Sequence, residues 1–220
     1  LRIGDVAPDF EADTTQGKIK FHEWAGKDWV LLVSHPKNFT PVCTTELGAL
    51  AKLAPQFKER GVKILGLSVD TVEDHHKWVK DIEETQNTKL EYPIIGDEKR
   101  TVATLYGMLD AHPDEDQKDA KGLPVTVRSV FIIDANRKVR FIATYPPSAG
   151  RNFFEFLRVT DSLQLTDNQR VTTPANWKPG DDAIVVPSVS DAEATKLFGE
   201  FTTIKPYLRT VKAENYQKKK

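Results

Sequence analysis

A continuous apolar run at residues 30–33 and a largely apolar segment at residues 62–69 flank a stretch with helical periodicity, and this arrangement constrains the fold more than any other feature of the sequence. Short unbroken apolar runs predict strands that are buried in a sheet. Between them, residues 45–60 carry apolar side chains at helical spacing, and Gly61 is a typical helix stop. The apolar positions of that helix are Leu47, Leu50, Leu53, Ala54 and Phe57. We therefore expect a buried sheet with a helix packed against it.

The alternation of strands and helices continues along the chain. The turn-forming residues Asp134-Ala135-Asn136 lie between two apolar segments and predict a hairpin there. Strand, helix, strand and helix, followed by a hairpin and a helix, indicate an α/β fold in which helices flank a central mixed sheet. The further predicted helices are residues 71–84, 100–109 and 152–163, the hairpin strands are residues 128–133 and 139–145, and residues 110–122 form a predicted loop.

The character of the sequence changes after Leu165. Four prolines interrupt short apolar pieces such as residues 183–186. We therefore predict a domain at residues 1–165 and a smaller C-terminal extension at residues 166–220, too irregular for a strong core of its own. We expect this extension to cover apolar surface between two copies of the chain, because short pieces cannot form an independent core. The terminal Lys218-Lys219-Lys220 predicts a solvated tail rather than a binding patch.

Charge and hydropathy exclude several classes of protein. The 220 residues include 31 basic and 32 acidic side chains, and this balance argues against nucleic acid as the main partner. No segment reaches the roughly 18 consecutive apolar residues of a membrane-spanning helix. Gly4, Asp5, Pro8 and Asp9 interrupt any signal-peptide pattern at the start of the chain. The simplest expectation is a cytoplasmic protein, and a trimmed targeting peptide is the alternative.

The chain has a single cysteine, Cys43, so it can form neither an internal disulfide nor a metal site built from several cysteines. A lone cysteine is often a small buried apolar residue. Here, however, Thr40 suits a helix N-cap and Pro41 suits the first helical position, which places Cys43 in the first turn. Unpaired backbone N–H groups and the positive end of the helix favour a thiolate there. This placement predicts a nucleophilic cysteine.

The sequence around Cys43 resembles a known family. Pro36-x-x-x-Thr40-x-x-Cys43 matches the active-site motif of the peroxiredoxins, and residues 39–48 are similar to their one-cysteine branch, the peroxiredoxin-6 type. Residues 122–128, 145–153 and 162–166 agree with the same branch, and the resemblance extends from about residue 1 to residue 208. It implies a thioredoxin-like fold with a C-terminal extension that helps to form a homodimer, and no bound cofactor.

The resemblance implies a role for each residue of the motif. Cys43 would attack the peroxide as the peroxidatic cysteine, and Thr40 would hydrogen-bond the peroxide through its hydroxyl. Pro36 would shield the pocket from water, and Arg128 would hold the thiolate and the transition state. Negative charge develops on the leaving oxygen as the O–O bond stretches, so a guanidinium and a hydroxyl already aimed there lower the barrier.

Three supporting residues follow from the motif and its neighbourhood. Glu46 and Arg151 resemble the pair that orients the hydrogen bonds of the pocket. His35 adjoins the motif and either shapes the pocket, binds the reductant or packs at the end of a strand. No metal site is expected.

The resemblance implies a thiol peroxidase that reduces hydrogen peroxide and organic or lipid hydroperoxides and serves redox homeostasis. After the attack Cys43 is a sulfenic acid, and the chain has no second cysteine to resolve it. We therefore expect an external thiol reductant. Glutathione, delivered by a glutathione transferase, is favoured, and thioredoxin and ascorbate are alternatives. Without a resolving disulfide, the sulfenic acid should over-oxidise readily to sulfinic acid.

Other activities have weaker support. Mammalian members of the branch show a phospholipase activity attributed to a serine, but Asp28 stands at the corresponding position and Asn136 replaces the aspartate. A carboxylate cannot replace the hydroxyl nucleophile, so we expect no such activity, and His22 is predicted to be structural. A dithiol oxidoreductase needs a Cys-x-x-Cys pair, which Thr40 precludes. A cysteine hydrolase would need His35 as a base, and a holdase or redox relay is the non-enzymatic alternative.

The adjacent histidines His75 and His76 lie in an acidic stretch that looks like an exposed helix. Neighbouring residues point to different sides of a helix, so a metal site there is not favoured.

Overall fold

The computed structural model describes residues 1–216, which form two compact units, the first spanning Leu1–Phe153 and the second beginning at Phe154. The strands of the first unit are β1 (Glu11–Thr14), β2 (Gly17–Lys20), β3 (Trp29–Ser34), β4 (Val62–Ser68), β5 (Ile94–Gly96), β6 (Arg128–Ile133) and β7 (Val139–Tyr145). Its helices are α1 (Phe21–Ala25), α2 (Pro41–Glu59), α3 (Val72–Gln86) and α4 (Thr101–Leu105). The long helix α5 (Phe153–Asn168) begins where this unit ends.

The seven strands form one sheet in the order β2-β1-β5-β4-β3-β6-β7. Strand β3, inside the sheet, pairs parallel with β4 and antiparallel with β6, so the sheet is mixed, as predicted. Both apolar runs are buried strands, and the predicted hairpin joins β6 to β7. One layer of the core contains the stacked rings of Phe10 and Phe21, against which Tyr106 packs edge-on.

The helix that carries Cys43 begins at Pro41 and ends before Gly61, whose φ of 66° suits glycine. It packs closely on α3 at Gly48. A Cβ atom at Gly48 would lie 2.3 Å from Cγ of Gln86, so glycine permits the close approach of the two helices. Both ends of α2, at Pro41 and before Gly61, lie where the sequence predicts them.

Two predicted helices have different bounds in the structure. The prediction of a helix over 100–109 is wrong beyond Leu105, because Gly107 has a φ of 67° and the chain turns to form an isolated bridge between Leu109 and Thr126. Helix α5 continues to Asn168, five residues further than predicted. The polar segment 110–122 is mostly irregular and includes a 3-10 turn at Glu115–Gln117.

The second unit corrects the expectation that the C-terminal extension lacks its own core. A four-stranded sheet and helix α6 (Asp191–Phe198) enclose a cluster of buried residues that includes Val185, Phe198 and Val211. Short strands suffice because their inward residues converge on one face of a helix. The strands are β8 (Val171–Thr172), β9 (Ala183–Val185), β10 (Thr202–Lys205) and β11 (Leu208–Val211), and α7 (Ala213–Tyr216) follows.

This architecture does not test three predictions from the sequence, which concern the domain boundary, the dimer and the basic C-terminal tail. The boundary between residues 165 and 166 and the role of the extension in a dimer stay predictions. The basic tail Lys218-Lys219-Lys220 lies outside the described residues. Across residues 1–216, no helix is both long and apolar enough to cross a membrane.

Candidate active site

Cys43 is the third residue of α2, in the first turn, where the sequence places it. Thr40 occupies the N-cap with extended backbone angles, but its hydroxyl does not cap the helix. It donates instead to the carbonyl of Lys37 at 2.9 Å, while the Thr40 carbonyl accepts from the backbone N–H of Thr44. The Thr40 hydroxyl oxygen keeps lone pairs that can accept a hydrogen bond from a bound molecule.

The thiol of Cys43 is enclosed and faces a guanidinium. Cys43 is only 1% exposed, and Nη1 of Arg128 donates to its Sγ at 3.3 Å. Arg128 begins β6, which pairs with β3, so the strand order of the sheet brings Arg128 to the loop that follows β3. Residues 85 positions apart in the sequence therefore meet in a buried pocket.

A buried carboxylate ties two arginines together beside the thiol. Glu46 accepts from Arg128 Nη1 at 2.8 Å and from Arg151 Nη2 at 2.9 Å through one oxygen. Its other oxygen accepts from the backbone N–H and the Nε of Arg151 at 2.7 and 3.0 Å. Two guanidinium groups and one carboxylate leave one positive charge in excess beside the sulfur. The cluster is therefore suited to stabilise negative charge that develops at Cys43.

Backbone carbonyls fix the two guanidinium groups in place. Arg128 donates to the carbonyl of Pro147 through Nε at 2.9 Å and Nη2 at 2.6 Å. Arg151 donates to the carbonyl of Ser129 at 3.0 Å. These contacts leave Nη1 of Arg128 pointed at the sulfur, so the cation needs no rearrangement to stabilise negative charge there.

The ring of His35 is packed in the interior at the end of β3. Its Nε2 lies 2.9 Å from Oδ1 of Asn38, and its ring centroid is 5.1 Å from that of Trp78. Burial, together with the neighbouring His75, lowers the pKa of His35 to about 3, so the imidazole is neutral in ordinary buffers. Pro36, the next residue, is also buried. This geometry suits packing at the strand end, and the choice among the three roles considered for His35 stays a prediction.

Two buried residues were not identified from the sequence, Asn38 within the motif segment and His75 in contact with it. The expectation that His75 lies on an exposed helix face is wrong, because His75 is fully buried whereas His76 is exposed. Residues 75, 78 and 82 share one helix face, and Trp78 and Ile82 are buried with His75. That spacing could have identified the buried histidine, since three- and four-residue steps keep residues on one side of a helix.

The segment that corresponds to the mammalian phospholipase site holds ordinary structural contacts. Asp28 lies 3.4 Å from the ammonium of Lys63. A ring nitrogen of His22 lies 2.7 Å from the carbonyl of Ala7, which agrees with the structural role predicted for that histidine.

Two family models and several named relatives match this chain. A family model described as the AhpC/TSA family matches residues 3–142, and one described as the C-terminal domain of 1-Cys peroxiredoxin matches residues 162–200. The chain is 54% identical to 1-Cys peroxiredoxin of Dictyostelium discoideum over 98% of its length and 86% of that protein. It is 52% identical to human peroxiredoxin-6, covering 95% of this chain and 96% of that one.

Two solved structures share the whole fold. A cysteine-to-serine variant of peroxiredoxin 6 from Arenicola marina superposes with a TM-score of 0.92 at 46% identity, over 97% of this chain and 98% of that chain. The yeast mitochondrial 1-Cys peroxiredoxin superposes with a TM-score of 0.87 at 54% identity, over 96% of this chain and 99% of that chain.

The thioredoxin-like fold and the enclosed cysteine–arginine pair define a thiol peroxidase. The chain belongs to the AhpC/TSA family and, within it, to the 1-Cys peroxiredoxins. It therefore reduces peroxides with electrons from a thiol and, as a peroxiredoxin, needs no prosthetic group.

Proposed function

We propose that Cys43 is the peroxidatic nucleophile and that Arg128, Thr40 and Pro36 form its peroxide pocket. The observation that carries this assignment is the 3.3 Å contact between Arg128 Nη1 and Cys43 Sγ. The same Nη1 also donates to Glu46, so one atom links the sulfur to the buried carboxylate. Glu46 and Arg151 are positioning residues, because Glu46 binds Arg128 and Arg151 in turn binds Glu46.

The chemical step is a displacement at oxygen. The Cys43 thiolate attacks the terminal oxygen of ROOH, the S–O bond forms and the O–O bond breaks. The sulfur loses two electrons and becomes a sulfenic acid, and the leaving alkoxide or hydroxide takes a proton to give ROH or water. Arg128 stabilises the negative charge that passes from sulfur to the leaving oxygen, and the Thr40 hydroxyl accepts a hydrogen bond from the O–H of the peroxide.

We propose glutathione as the resolving thiol. The chain has one cysteine, and a structure of its yeast relative is described as the basis of that protein's thiol-resolving mechanism via glutathione and thioredoxin systems. A first glutathione condenses with the sulfenic acid to give a mixed disulfide and water. A second glutathione releases the Cys43 thiol as glutathione disulfide forms, so two thiols supply the two electrons. Thioredoxin and a glutathione transferase are candidate protein partners for this half of the cycle.

We further propose a homodimer. Strand β7 ends the sheet order and pairs with β6, and its first residue, Val139, also bonds to Gly4 and Asp5, so the edge proposed for a second copy is the end of the strand around Ala143 and Thr144. An open edge of this kind is a surface on which a second strand can add, and two identical edges pair about a two-fold axis. Thr144 near the end of β7 is exposed, and its neighbours are only partly buried.

Mass spectrometry of Cys43 tests the proposed cycle. One equivalent of hydrogen peroxide should give a sulfenic acid at Cys43, and added glutathione should convert it to a mixed disulfide. Without glutathione, excess peroxide should carry Cys43 on to sulfinic acid, because nothing in the chain intercepts the sulfenic acid. A rapid Cys43–Cys43 disulfide between two chains in every condition would overturn the need for an external thiol.

A further inference from the structure

Three buried polar side chains support the segment between β3 and α2. We name residues 35–40, which include Pro36 and Thr40, the motif loop. The side-chain amide of Asn38 in this loop lies between two imidazoles, with Nδ2 2.8 Å from His75 Nδ1 and Oδ1 2.9 Å from His35 Nε2. All three side chains are buried. The side-chain amide of Asn38 therefore links the motif loop to helix α3 by a hydrogen bond, beside the ring contact of His35 with Trp78.

The hydrogen positions in this series of three hydrogen-bonded side chains can be assigned by starting from His75. Nε2 of His75 lies 3.0 Å from the carbonyl of Ile95, which only accepts, so Nε2 carries the hydrogen. Burial lowers the pKa of His75, so the ring is neutral and its Nδ1 accepts from the Asn38 amide. In the orientation as placed, the amide oxygen faces His35 Nε2 at 2.9 Å but also the Asp70 carboxylate, which only accepts. The reversed amide donates to His35, to Asp70 at 3.2 Å and to His75 Nδ1 at 3.1 Å, and its oxygen accepts from the backbone N–H of His75 at 3.3 Å. A neutral His75 therefore accepts from the Asn38 amide in either orientation.

The backbone of the motif loop is also held. The N–H of Asn38 donates to Oδ2 of Asp70 at 3.0 Å, and the hydroxyl of Ser68 donates to the same oxygen at 2.6 Å. The hydroxyl of Thr126 donates to the carbonyl of His35 at 2.6 Å. Residues at the ends of β4 and β6 thus hold the backbone of the motif loop, whereas His75 holds the side chain of Asn38.

A second contact from α3 reaches the first turn of the Cys43 helix. Nε1 of Trp78 donates to the hydroxyl of Thr44 at 3.2 Å, and that hydroxyl donates to the carbonyl of Thr40 at 2.7 Å. Trp78 lies three residues after His75, on the same buried face of α3. One face of α3 therefore contacts both the motif loop and the turn that carries Cys43.

We propose that His75 is a positioning residue for peroxide reduction, acting through Asn38 to hold Pro36 and Thr40 in place at the Cys43 pocket. This inference rests on the pocket assigned under the proposed function. The two halves of the cycle place opposite demands on the loop. Peroxide attack needs Thr40 and Pro36 fixed around the sulfur, whereas an external thiol must reach an atom that is 1% exposed and needs the enclosure to open. The His75–Asn38 contact favours the enclosed arrangement.

The test separates the two half-reactions in three variants. In His75→Leu, the second-order rate of peroxide attack should fall by about tenfold or more, because small displacements of positioned groups are costly. The rate at which glutathione captures the preformed sulfenic acid should be unchanged or higher. His75→Asn, whose amide oxygen can accept from Asn38, should recover most of the peroxide rate. His76→Leu, an exposed neighbour, is the matched control and should behave as the parent does.

A double-mutant cycle tests whether His75 acts through Asn38. If it does, His75→Leu should have little further effect on the peroxide rate in an Asn38→Ala background. Unchanged peroxide rates in a folded His75→Leu protein would overturn the inference. The inference would also be overturned if both half-reactions lost the same fraction of their rate and that fraction equalled the loss of folded protein measured by circular dichroism. Neither result would affect the role of Cys43, which Cys43→Ser tests separately. If His75→Leu does not fold, His75→Asn and Asn38→Ala carry the comparison.

Discussion

At the scale of single residues, the site depends on one guanidinium whose three nitrogens all donate hydrogen bonds in specific directions. Arg128 contacts the sulfur, the carboxylate of Glu46 and the carbonyl of Pro147 at the same time. A lysine in its place would keep the charge but could not form these parallel contacts, because an ammonium is a single point of charge. The site therefore depends on the planar shape of the Arg128 side chain as well as on its charge.

Replacing Arg128 should slow peroxide attack strongly. We expect Arg128→Ala to lose roughly 3 kcal/mol of transition-state stabilisation, as is typical for a preorganised electrostatic group. Arg128→Lys should recover only part of this loss. Stopped-flow measurement of the reaction with hydrogen peroxide gives these rates, and Lys138→Ala, an exposed cation beside the β6–β7 turn, is the control. Equal rates in Arg128→Ala and the parent would remove Arg128 from the mechanism.

The buried His35 should make stability depend on pH. Its pKa is about 3 in the folded chain and about 6.5 when unfolded, so the unfolded state binds the extra proton. The associated stability is complete above pH 6.5 and is lost as the pH falls from 6.5 towards 3, by at most about 1.4 kcal/mol per pH unit. Denaturant midpoints at pH 7.5 and 5.5 should therefore differ more in the parent than in His35→Gln.

The exposed His112 provides the control for that comparison. His112→Gln should keep the full pH dependence of the parent, because His112 is exposed and the substitution leaves the buried His35 in place. If His35→Gln and His112→Gln lost stability identically on acidification, the buried imidazole would not be the titrating group.

At the scale of elements, hydrophobic periodicity predicted the main strands and helices of the first unit. It did not predict contacts between segments that are distant in the sequence. The two apolar runs, the Cys43 helix and the hairpin are all present, because each has a local pattern that burial reinforces. The resemblance supplied Arg128, whose position at a strand start is not informative by itself. His75 was missed because adjacent charges suggested solvent, whereas the burial of His75 depends on a loop nearly forty residues away in the sequence.

The close packing of α2 on α3 makes Gly48 sensitive to substitution. In Gly48→Ala the new Cβ would meet Gln86 at 2.3 Å, so the helices or the glutamine must move. We expect a loss of about 1–3 kcal/mol in the free energy of unfolding, as for other overpacked sites. Urea denaturation measures it, and adding Gln86→Gly should restore part of the loss. A Gly48→Ala protein as stable as the parent would show that the interface is looser than described.

At the scale of the whole molecule, the C-terminal unit is more ordered than its proline-rich sequence suggests. Its strands β8 to β11 are short, yet they surround a core with α6. Prolines at the ends of short strands do not prevent a sheet, which is why composition alone misjudged this region. Its role in assembly and the cytoplasmic location of the protein stay predictions.

The proposed homodimer predicts a definite effect of charge at the sheet edge. Light scattering at micromolar concentration should give twice the chain mass. Ala143→Lys on β7 should weaken the dimer, because two copies would bring like charges together across the two-fold axis. Lys138→Glu, outside the proposed edge, should leave the mass unchanged. A parent protein that is monomeric and fully active would contradict the proposed dimer.

The central claim is that Cys43 alone performs the attack on the peroxide, and the rate of peroxide consumption by Cys43→Ser tests it most directly. The side chain is isosteric, so the fold should be preserved and can be verified by circular dichroism. The account predicts that this variant consumes no hydrogen peroxide above the uncatalysed rate, with or without glutathione, whereas the parent turns over. A folded Cys43→Ser protein that reduced hydrogen peroxide at the rate of the parent would contradict the account, because the chain has no other thiol to replace it.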